Sequence, residues 1–397
     1  MSGLSDKTIE IVKATAPVVA EHAEEITKTF YPILFTDYPE TKEFFNHSHQ
    51  AAGTQQKALA SAVVAYASNI DNLGALGAAV EGITERHVSL NILPEHYPMV
   101  GHSLLKAIAE VLGDAATPEI AEAWGEAYFF LADLLISVEK KKYQETLAKI
   151  GGWNGYKEFV LDQKISETTD VYSFYFKPVD GSPIIDYKAG QYISIRLDLP
   201  DLGTSVRNYT LSSSPGEDAL RLTVKKDGVF SKYLHENVVI GDKVELNPPF
   251  GQFTLSASSN PIVFITGGVG ITPAVSMLGD LTRSKSSNEI LFVYGTQSKA
   301  AYPCRDQVFG YKNKLGSCSL ATFYSEIFTA GVVGETTFEG KIDLGKIDGD
   351  LPEDADYYVC GPGPMMKAVV KQLLAKSVST EKIHYEYFGP SEDILNT

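Results

Sequence analysis

The stretch TERHVSLNILPEHYP, residues 84–98, places two histidines, His87 and His96, nine apart with Tyr97 beside the second, in a pattern that reads as helix, breaker, helix. Imidazole is the commonest metal ligand and the side chain whose charge changes nearest neutrality. The chain's other histidines are His22, His47, His49, His102, His235 and His384, and no HExxH or carboxylate–histidine box joins any of them, so zinc and di-iron readings are weak. A haem iron asks for less: one protein nitrogen, a roomy apolar pocket and a polar residue or two on the far face. TKTFYPILFTDYPETKEFFN supplies Phe30, Tyr31, Phe44 and Phe45, and GTQQKALASAV supplies Gln55 and Leu59 at i, i+4 on one helical face. His87 follows 32 residues after Gln55.

A second chemistry is written in FITGGVGITPAVSML, residues 264–278. An apolar strand runs into Gly267, Gly268 and Gly270, and Thr272-Pro273 opens a helix, with proline in a first-turn position where its missing N–H costs nothing. Glycines let the backbone approach a ligand, and the free N–H groups of a helix start favour a phosphate. The spacing is not GxGxxG, and a tight strand-to-helix turn that binds nothing would look the same on this stretch alone. Two further motifs keep it company. VRNYTLSSSP sets Arg207, Tyr209 and Thr210 on one strand, and YYVCGPGPMMKAV ends another strand in Cys360-Gly361-Pro362 before a helix.

These residues need elements to hold them. From Leu4 to Lys149 the pattern is helical and alanine-rich, with Ile9, Val12 and Ala16 at helical spacing and a long run from Pro118; six or seven helices and no strand are expected, with glycines and prolines mostly at breaks. After Gly151-Gly152 the period drops to two. EFVLDQKI, DVYSFYFKPV, GQYISIRLDL, RNYTLSS and LRLTVKK read as an antiparallel barrel or sandwich. From about Pro261 strand and helix alternate: PIVFIT, EILFVYG and DYYVCG each precede a helix, which implies a parallel sheet with crossovers. The fold expected is therefore multi-domain: all-α over 1–150, an antiparallel β-barrel over 151–258 and an α/β parallel-sheet domain over 259–397.

Composition narrows the classes. Apolar residues make up 44% and charged residues 21% of the 397, ordinary for globular domains with full cores. The net charge of −16 is shared, with 20 acidic against 11 basic side chains up to residue 150 and 30 against 23 beyond it. Both parts being acidic argues against a nucleic-acid or anionic-membrane surface. Three scattered cysteines, Cys304, Cys318 and Cys360, suggest a reducing compartment. With no signal-like start and no long apolar run, the cytoplasm is the expected location.

The three ordered motifs over residues 155–397 resemble the ferredoxin reductase superfamily, and with the helical part before them the whole chain resembles the flavohaemoglobins. The resemblance implies a globin, an FAD-binding barrel and an NAD(P)H-binding sheet domain. It makes His87 the proximal iron ligand, Tyr31 and Gln55 the distal tyrosine and glutamine, Phe45 the aromatic packed on the porphyrin and Leu59 the apolar distal residue. Tyr97 and Glu139 become the pair that hydrogen-bonds the proximal histidine, which raises its basicity and favours activation of bound oxygen over storage; His96 is left as bystander surface. Arg207 is expected at the flavin pyrophosphate, Tyr209 and Thr210 at the flavin ring system, and Tyr187 and Ser231 at the FAD. Gly267, Gly268, Gly270, Thr272, Pro273, Cys360, Gly361 and Pro362 are expected at the nucleotide, with Glu386 and Phe388 in the terminal segment bordering the cofactor cleft.

The implied activity is nitric oxide dioxygenation: NAD(P)H reduces FAD, the flavin passes electrons singly to haem b, and O2 at the ferrous iron reacts with NO to give nitrate, a protection against nitrosative stress. The expected partners are the small molecules O2, NO and NAD(P)H, with no nucleic acid and no transmembrane segment, acting on a monomer. Two other classes stay open: a sensor or haem-free partner-binding helical domain, and a haem-linked oxidoreductase acting on hydroperoxides. Departures from the family pattern are mild. Asn208 and Thr210 stand in its Arg-Gln-Tyr-Ser, and Ala189 stands where a proline commonly precedes Gly190. Lys299 and Arg305 are the cations available for a 2′-phosphate.

Overall fold

The computed structural model describes residues 3–45, 54–200, 202–327, 333–352, 354–389 and 394, without the side chains of residues 54–58, 73, 348 and 350. Among the described residues six α-helices come first: α1 (Asp6–Glu21), α2 (Ala23–Asp37), α3 (Thr54–Ser68), α4 (Gly77–Ser89), α5 (His96–Leu112) and α6 (Pro118–Leu147). Among the described residues no strand precedes Lys157.

Local chemistry sets the helix starts. The Ser5 hydroxyl accepts from Thr8 N at 3.1 Å and Asp6 faces the positive end of α1. Thr117 caps α6, with Pro118 in the first helical position. The expectation that prolines mark breaks fails at Pro17 and Pro32, which lie inside α1 and α2. Each removes a helical hydrogen bond. Packing overrides this cost, because α1 buries Val12 and Val19 and α2 buries Ile26, Phe30 and Leu34 in one core with Ile108, Trp124 and Ala127. Fully burying a large apolar side chain stabilises by about 1.5–3 kcal/mol, so a few such residues on each helix outweigh one lost bond. Among the described residues no helix is long and apolar enough to cross a membrane.

The next strands are β1 (Lys157–Ser166), β2 (Val171–Pro178), β3 (Tyr192–Leu199), β4 (Gly203–Thr210), β5 (Leu220–Lys225) and β6 (Lys243–Leu246), in the order β4-β3-β6-β1-β2-β5. Beyond β4, Leu211 bridges Leu222 of β5, and Ser212 N donates to Arg221 O at 2.8 Å. These contacts join the two edges, which decides between barrel and sandwich in favour of the barrel. A short helix, α7 (Val229–Asn237), lies between β5 and β6.

The second sheet holds β7 (Ile262–Gly267), β8 (Ile290–Thr296), β9 (Cys318–Tyr324), β10 (Thr336–Glu339), β11 (Asp356–Cys360) and β12 (Ile383–Glu386). Its order is β10-β9-β8-β7-β11-β12, and every pair is parallel. Helices α8 (Ile271–Arg283), α9 (Arg305–Lys314) and α10 (Gly363–Ala375) follow β7, β8 and β11. From β7 the chain builds outward to β8, β9 and β10 on one side and then to β11 and β12 on the other. Strand order therefore reverses at β7, and in an open parallel sheet ligands bind at the carboxyl ends of the strands at that point. Residues up to Ala148 form most of one compact unit, and the two sheets form most of another.

Candidate functional site

In the helical unit three of the expected residues meet. Glu139 of α6 is 2% exposed, and its Oε1 takes two contacts: Tyr97 Oη donates to it at 2.5 Å and His87 Nδ1 lies 2.8 Å away. His87 Nδ1 is also 3.0 Å from Tyr97 Oη. A carboxylate offers only lone pairs, so this arrangement assigns the imidazole hydrogen to Nδ1 and leaves the Nε2 lone pair outward. No hydrogen bond occupies Nε2 among the described residues. The His87 side chain keeps 31% of its surface exposed. One oriented nitrogen with a free lone pair, its other face held by a buried acid, is the donor set a haem iron needs. Burial, with the Glu139 charge beside it, pushes the Tyr97 phenol well above its usual range, so it acts as a donor.

Two supports for this group had no clear sequence signal. Tyr128 Oη donates to the Tyr97 carbonyl at 2.7 Å, and its ring lies so near Gly101 that a β-carbon there would stand 2.4 Å from Tyr128 Cε1. Gly101 is a lone glycine inside α5, a weak marker of close approach. His96 differs from its expected bystander role. Its Nδ1 accepts from Leu93 N at 3.0 Å and its ring lies 4.9 Å from Phe44, so it ties down the turn into α5.

In a second group, Tyr31 of α2 is 5% exposed, with ring centroids at 4.8 Å to Phe30, 5.9 Å to Phe35 and 5.5 Å to Phe45. Phe45 and Leu59 are half-buried against the same apolar cluster. Burial raises the Tyr31 phenol above its usual range, which keeps its proton for donation. Gln55 falls on α3 one turn before Leu59, and its side chain lies outside the described residues.

In the barrel, β4 presents Arg207 and Tyr209 half-buried on one face and Thr210 buried on the other, as strand alternation dictates. The Tyr209 ring lies 6.2 Å from Phe230. Arg207 Nη1 donates to its neighbour's carbonyl, Val206 O, at 2.6 Å. A cation and an aromatic face side by side on one strand suit a flavin pyrophosphate and ring. Tyr187 is buried with its hydroxyl 2.8 Å from Ser213 O and 2.9 Å from Ser213 Oγ, so any flavin contact it makes comes from the ring. The Ser231 hydroxyl accepts from Asp227 N at 2.9 Å and donates to Gly228 O at 3.0 Å, holding the start of α7. Gly190 has φ +97°, and a β-carbon there would meet Phe253 O at 2.0 Å, so this turn admits only glycine.

At the switch point the two glycine motifs meet. A β-carbon at Gly267 would lie 2.5 Å from Met365 Sδ, and Gly268 has φ +54° with open space beside it. Thr272 Oγ1 donates back to Val269 O at 3.0 Å, closing the turn before Pro273. Cys360 is fully buried, and Gly361-Pro362 leads into α10. Parallel pairing sets Thr266, Cys360 and Glu386 in one row across β7, β11 and β12; Phe388, just beyond, is 48% exposed. A glycine-rich backbone turn at the start of α8, open beside Gly268, suits a pyrophosphate.

A cavity of about 590 Å³ is lined by Glu167, Tyr175 and Arg221 of the barrel and by Lys299, Tyr302 and Arg305 after β8. Arg221, absent from the sequence expectations, is 3% exposed, donates to Ser212 O and Gln307, and stitches the barrel to α9. Arg305 is committed to the buried Glu335 at 3.3 Å and to the Phe309 ring at 4.1 Å, so it is a poor candidate for a 2′-phosphate.

Family comparisons agree with this layout. Residues 28–135 match the globin family, 158–255 the oxidoreductase FAD-binding domain and 264–371 the oxidoreductase NAD-binding domain. The chain is 43% identical to the flavohemoprotein of Bacillus subtilis, covering 98% of each. The chain belongs to the flavohaemoglobin family. A flavohemoglobin crystal structure from Malassezia yamatoensis, with bound FAD and heme, matches 98% of this chain and all of its own at a TM-score of 0.87 and 31% identity. The flavohem-like FAD/NAD binding domain of nitric oxide dioxygenase from Vibrio cholerae matches 59% of this chain and 99% of its own at a TM-score of 0.54 and 33% identity. As a flavohaemoglobin the protein is an NAD(P)H-dependent oxidoreductase whose cofactors are haem, FAD and NAD(P)H.

Proposed function

We propose that this flavohaemoglobin is a nitric oxide dioxygenase, converting NO and O2 to nitrate and protecting its cell from nitrosative stress. The observation that carries the reading is the buried Glu139 carboxylate on His87 Nδ1. An acid accepting from an iron-bound imidazole makes that ligand more basic, which suits oxygen activation rather than reversible storage. The relation to the Vibrio cholerae nitric oxide dioxygenase domain supports the same reading.

When bound, the cofactors supply the redox chemistry: electrons from NAD(P)H reach the haem iron through FAD, one for each NO and O2 that leave as nitrate. The chain's own residues orient and exclude. His87 Nε2 would hold the iron while Glu139 and Tyr97 fix its ring. Phe45 and Leu59 would line the haem with apolar surface, and Tyr31, with Gln55, would donate hydrogen bonds on the distal side. Arg207 would pair with the flavin pyrophosphate, Tyr209 would lie against the ring system, and Thr210, Tyr187 and Ser231 would border the same cofactor. The Gly267–Pro273 turn and Cys360-Gly361-Pro362 would receive the nicotinamide nucleotide, with Glu386 and Phe388 edging the cleft. The domains proposed are 1–150, 151–258 and 259–397, in a cytoplasmic monomer.

Steady-state NADH oxidation in air, with and without NO, tests this. NO should accelerate turnover, and nitrate should approach two for each NADH consumed. Turnover indifferent to NO, or nitrate absent, overturns the proposal.

A further inference from the structure

Three residues beyond Glu139 on α6, and so on the same face of the helix, stands Lys142. Its ammonium donates to two carboxylates of α4, Glu81 Oε1 and, at 2.5 Å, Glu85 Oε1. Glu81 and Glu85 are themselves one turn apart and precede His87 on that helix. The next residue of α6 makes a second tie: Tyr143 Oη donates to Ile92 O at 2.8 Å, and Ile92 N donates to His87 O at 2.9 Å. The end of α4 that carries His87 is thus pinned to α6 on both sides of the histidine.

We propose that Lys142 is a positioning residue for His87, holding α4 against α6 so that the Nδ1–Glu139 hydrogen bond is made in one geometry. The proposal rests on the reading of His87 as iron ligand only for its functional consequence. Two ties along a helix fix both its axial slide and its rotation. With one removed, α4 can turn about the other, and a bond of 2.8 Å weakens steeply with shifts of well under a residue's rise. Glu139, buried, has no room to follow. Exposed ion pairs rarely matter, but the Lys142 and Glu85 side chains are only 13% and 14% exposed, and removing one partner of such a group leaves the other charge stranded.

The test is NMR on the CO-bound ferrous holoprotein, isotope-labelled in its histidines, with the His87 signals identified by their loss in His87→Gln. Two readouts separate two questions. Ring-carbon protons of His87 shifted far upfield by the porphyrin report that it is the iron ligand. Exchange of its Nδ1 proton with water reports the bond to Glu139, whichever group binds the iron. Lys142→Met keeps the stem and removes the charge; Nδ1–H exchange should quicken about tenfold, the factor that 1.4 kcal/mol of lost hydrogen bonding gives, and Lys142→Arg should restore most of the protection. Should Lys142→Met not fold, Glu81→Gln/Glu85→Gln releases the same tie and should quicken exchange likewise. Unchanged Nδ1–H exchange in the folded variant, even with a lower melting temperature, overturns the proposal, because a merely structural bridge would move stability alone.

Discussion

A β-carbon on Gly270 would stand 2.4 Å from the carbonyl oxygen of Cys360, so the turn after β7 and the end of β11 are in contact through bare backbone. Two motifs ninety residues apart in the chain form one surface at the point where strand order reverses.

Gly270→Ala follows directly. The clash is with backbone, which cannot swing aside, so the turn must shift, at a cost of about 1–3 kcal/mol for overpacking. Flavin reduction by NADH at subsaturating concentration in stopped flow should slow by roughly five- to 150-fold, the equivalent of that cost falling on nucleotide binding, while FAD content is unchanged. Reduction at the unsubstituted rate would mean that the turn does not receive the nucleotide.

His87→Ala should remove haem and leave the flavin half working. The oriented Nε2 is the one nitrogen that the Glu139 and Tyr97 contacts present, and alanine supplies none. Absorbance of the purified variant should show flavin without a haem band, with NADH-driven cytochrome c reduction within about twofold of the parent, as the barrel and sheet domains keep their own cores. A retained haem band of unchanged shape would reject the ligand assignment.

The division between what could and could not be read from sequence runs along contact distance. Helix against strand was legible because period is local. The GGVGITP turn and the Cys360-Gly361-Pro362 turn were legible as separate signals, but their contact depends on strand order. The residue that orients His87 lies 52 positions away on another helix, and no spacing rule leads from one to the other; only resemblance to a family placed Glu139 there. Gly101 and Arg221 were missed for a related reason, since each owes its role to one partner, Tyr128 or Gln307, brought in by tertiary packing. Pro17 and Pro32 misled because a local rule was outweighed by burial of the residues around them.

Tyr31→Phe tests the distal side. The ring keeps its place among Phe30, Phe35 and Phe45, so apolar packing survives and only the hydroxyl is lost. A hydrogen bond to a group bearing charge is worth about 1.5–3 kcal/mol, so O2 dissociation should quicken by roughly ten- to a hundredfold and NO consumption should fall. Flash photolysis measures the first and an NO electrode the second. O2 dissociation unchanged by the substitution would remove Tyr31 from the proposed role.

The buried carboxyl of Asp356 makes the stability of the sheet-bearing unit depend on pH. Burial acts to raise its pKa, but hydrogen bonds from Ser258 at 2.6 Å, Ser256 at 2.9 Å and Asn260 at 3.4 Å, with His384 nearby, outweigh burial and hold the carboxyl below its ordinary value. A folded-state pKa below the unfolded one means that the charged form stabilises the fold. That contribution is complete above the unfolded value, near 4, and fades as pH falls through the lower folded value. Asp356→Asn keeps the shape but removes the charge and one acceptor, at a cost of about 1–3 kcal/mol at neutral pH, or roughly 2–10 °C in the melting of the sheet-bearing unit. Differential scanning calorimetry of parent and variant should show that gap near pH 7 and see it narrow below about pH 4. A gap that stays constant across the acid range would show that packing, and not the ionised carboxylate, holds the Ser256–Asn260 loop to β11.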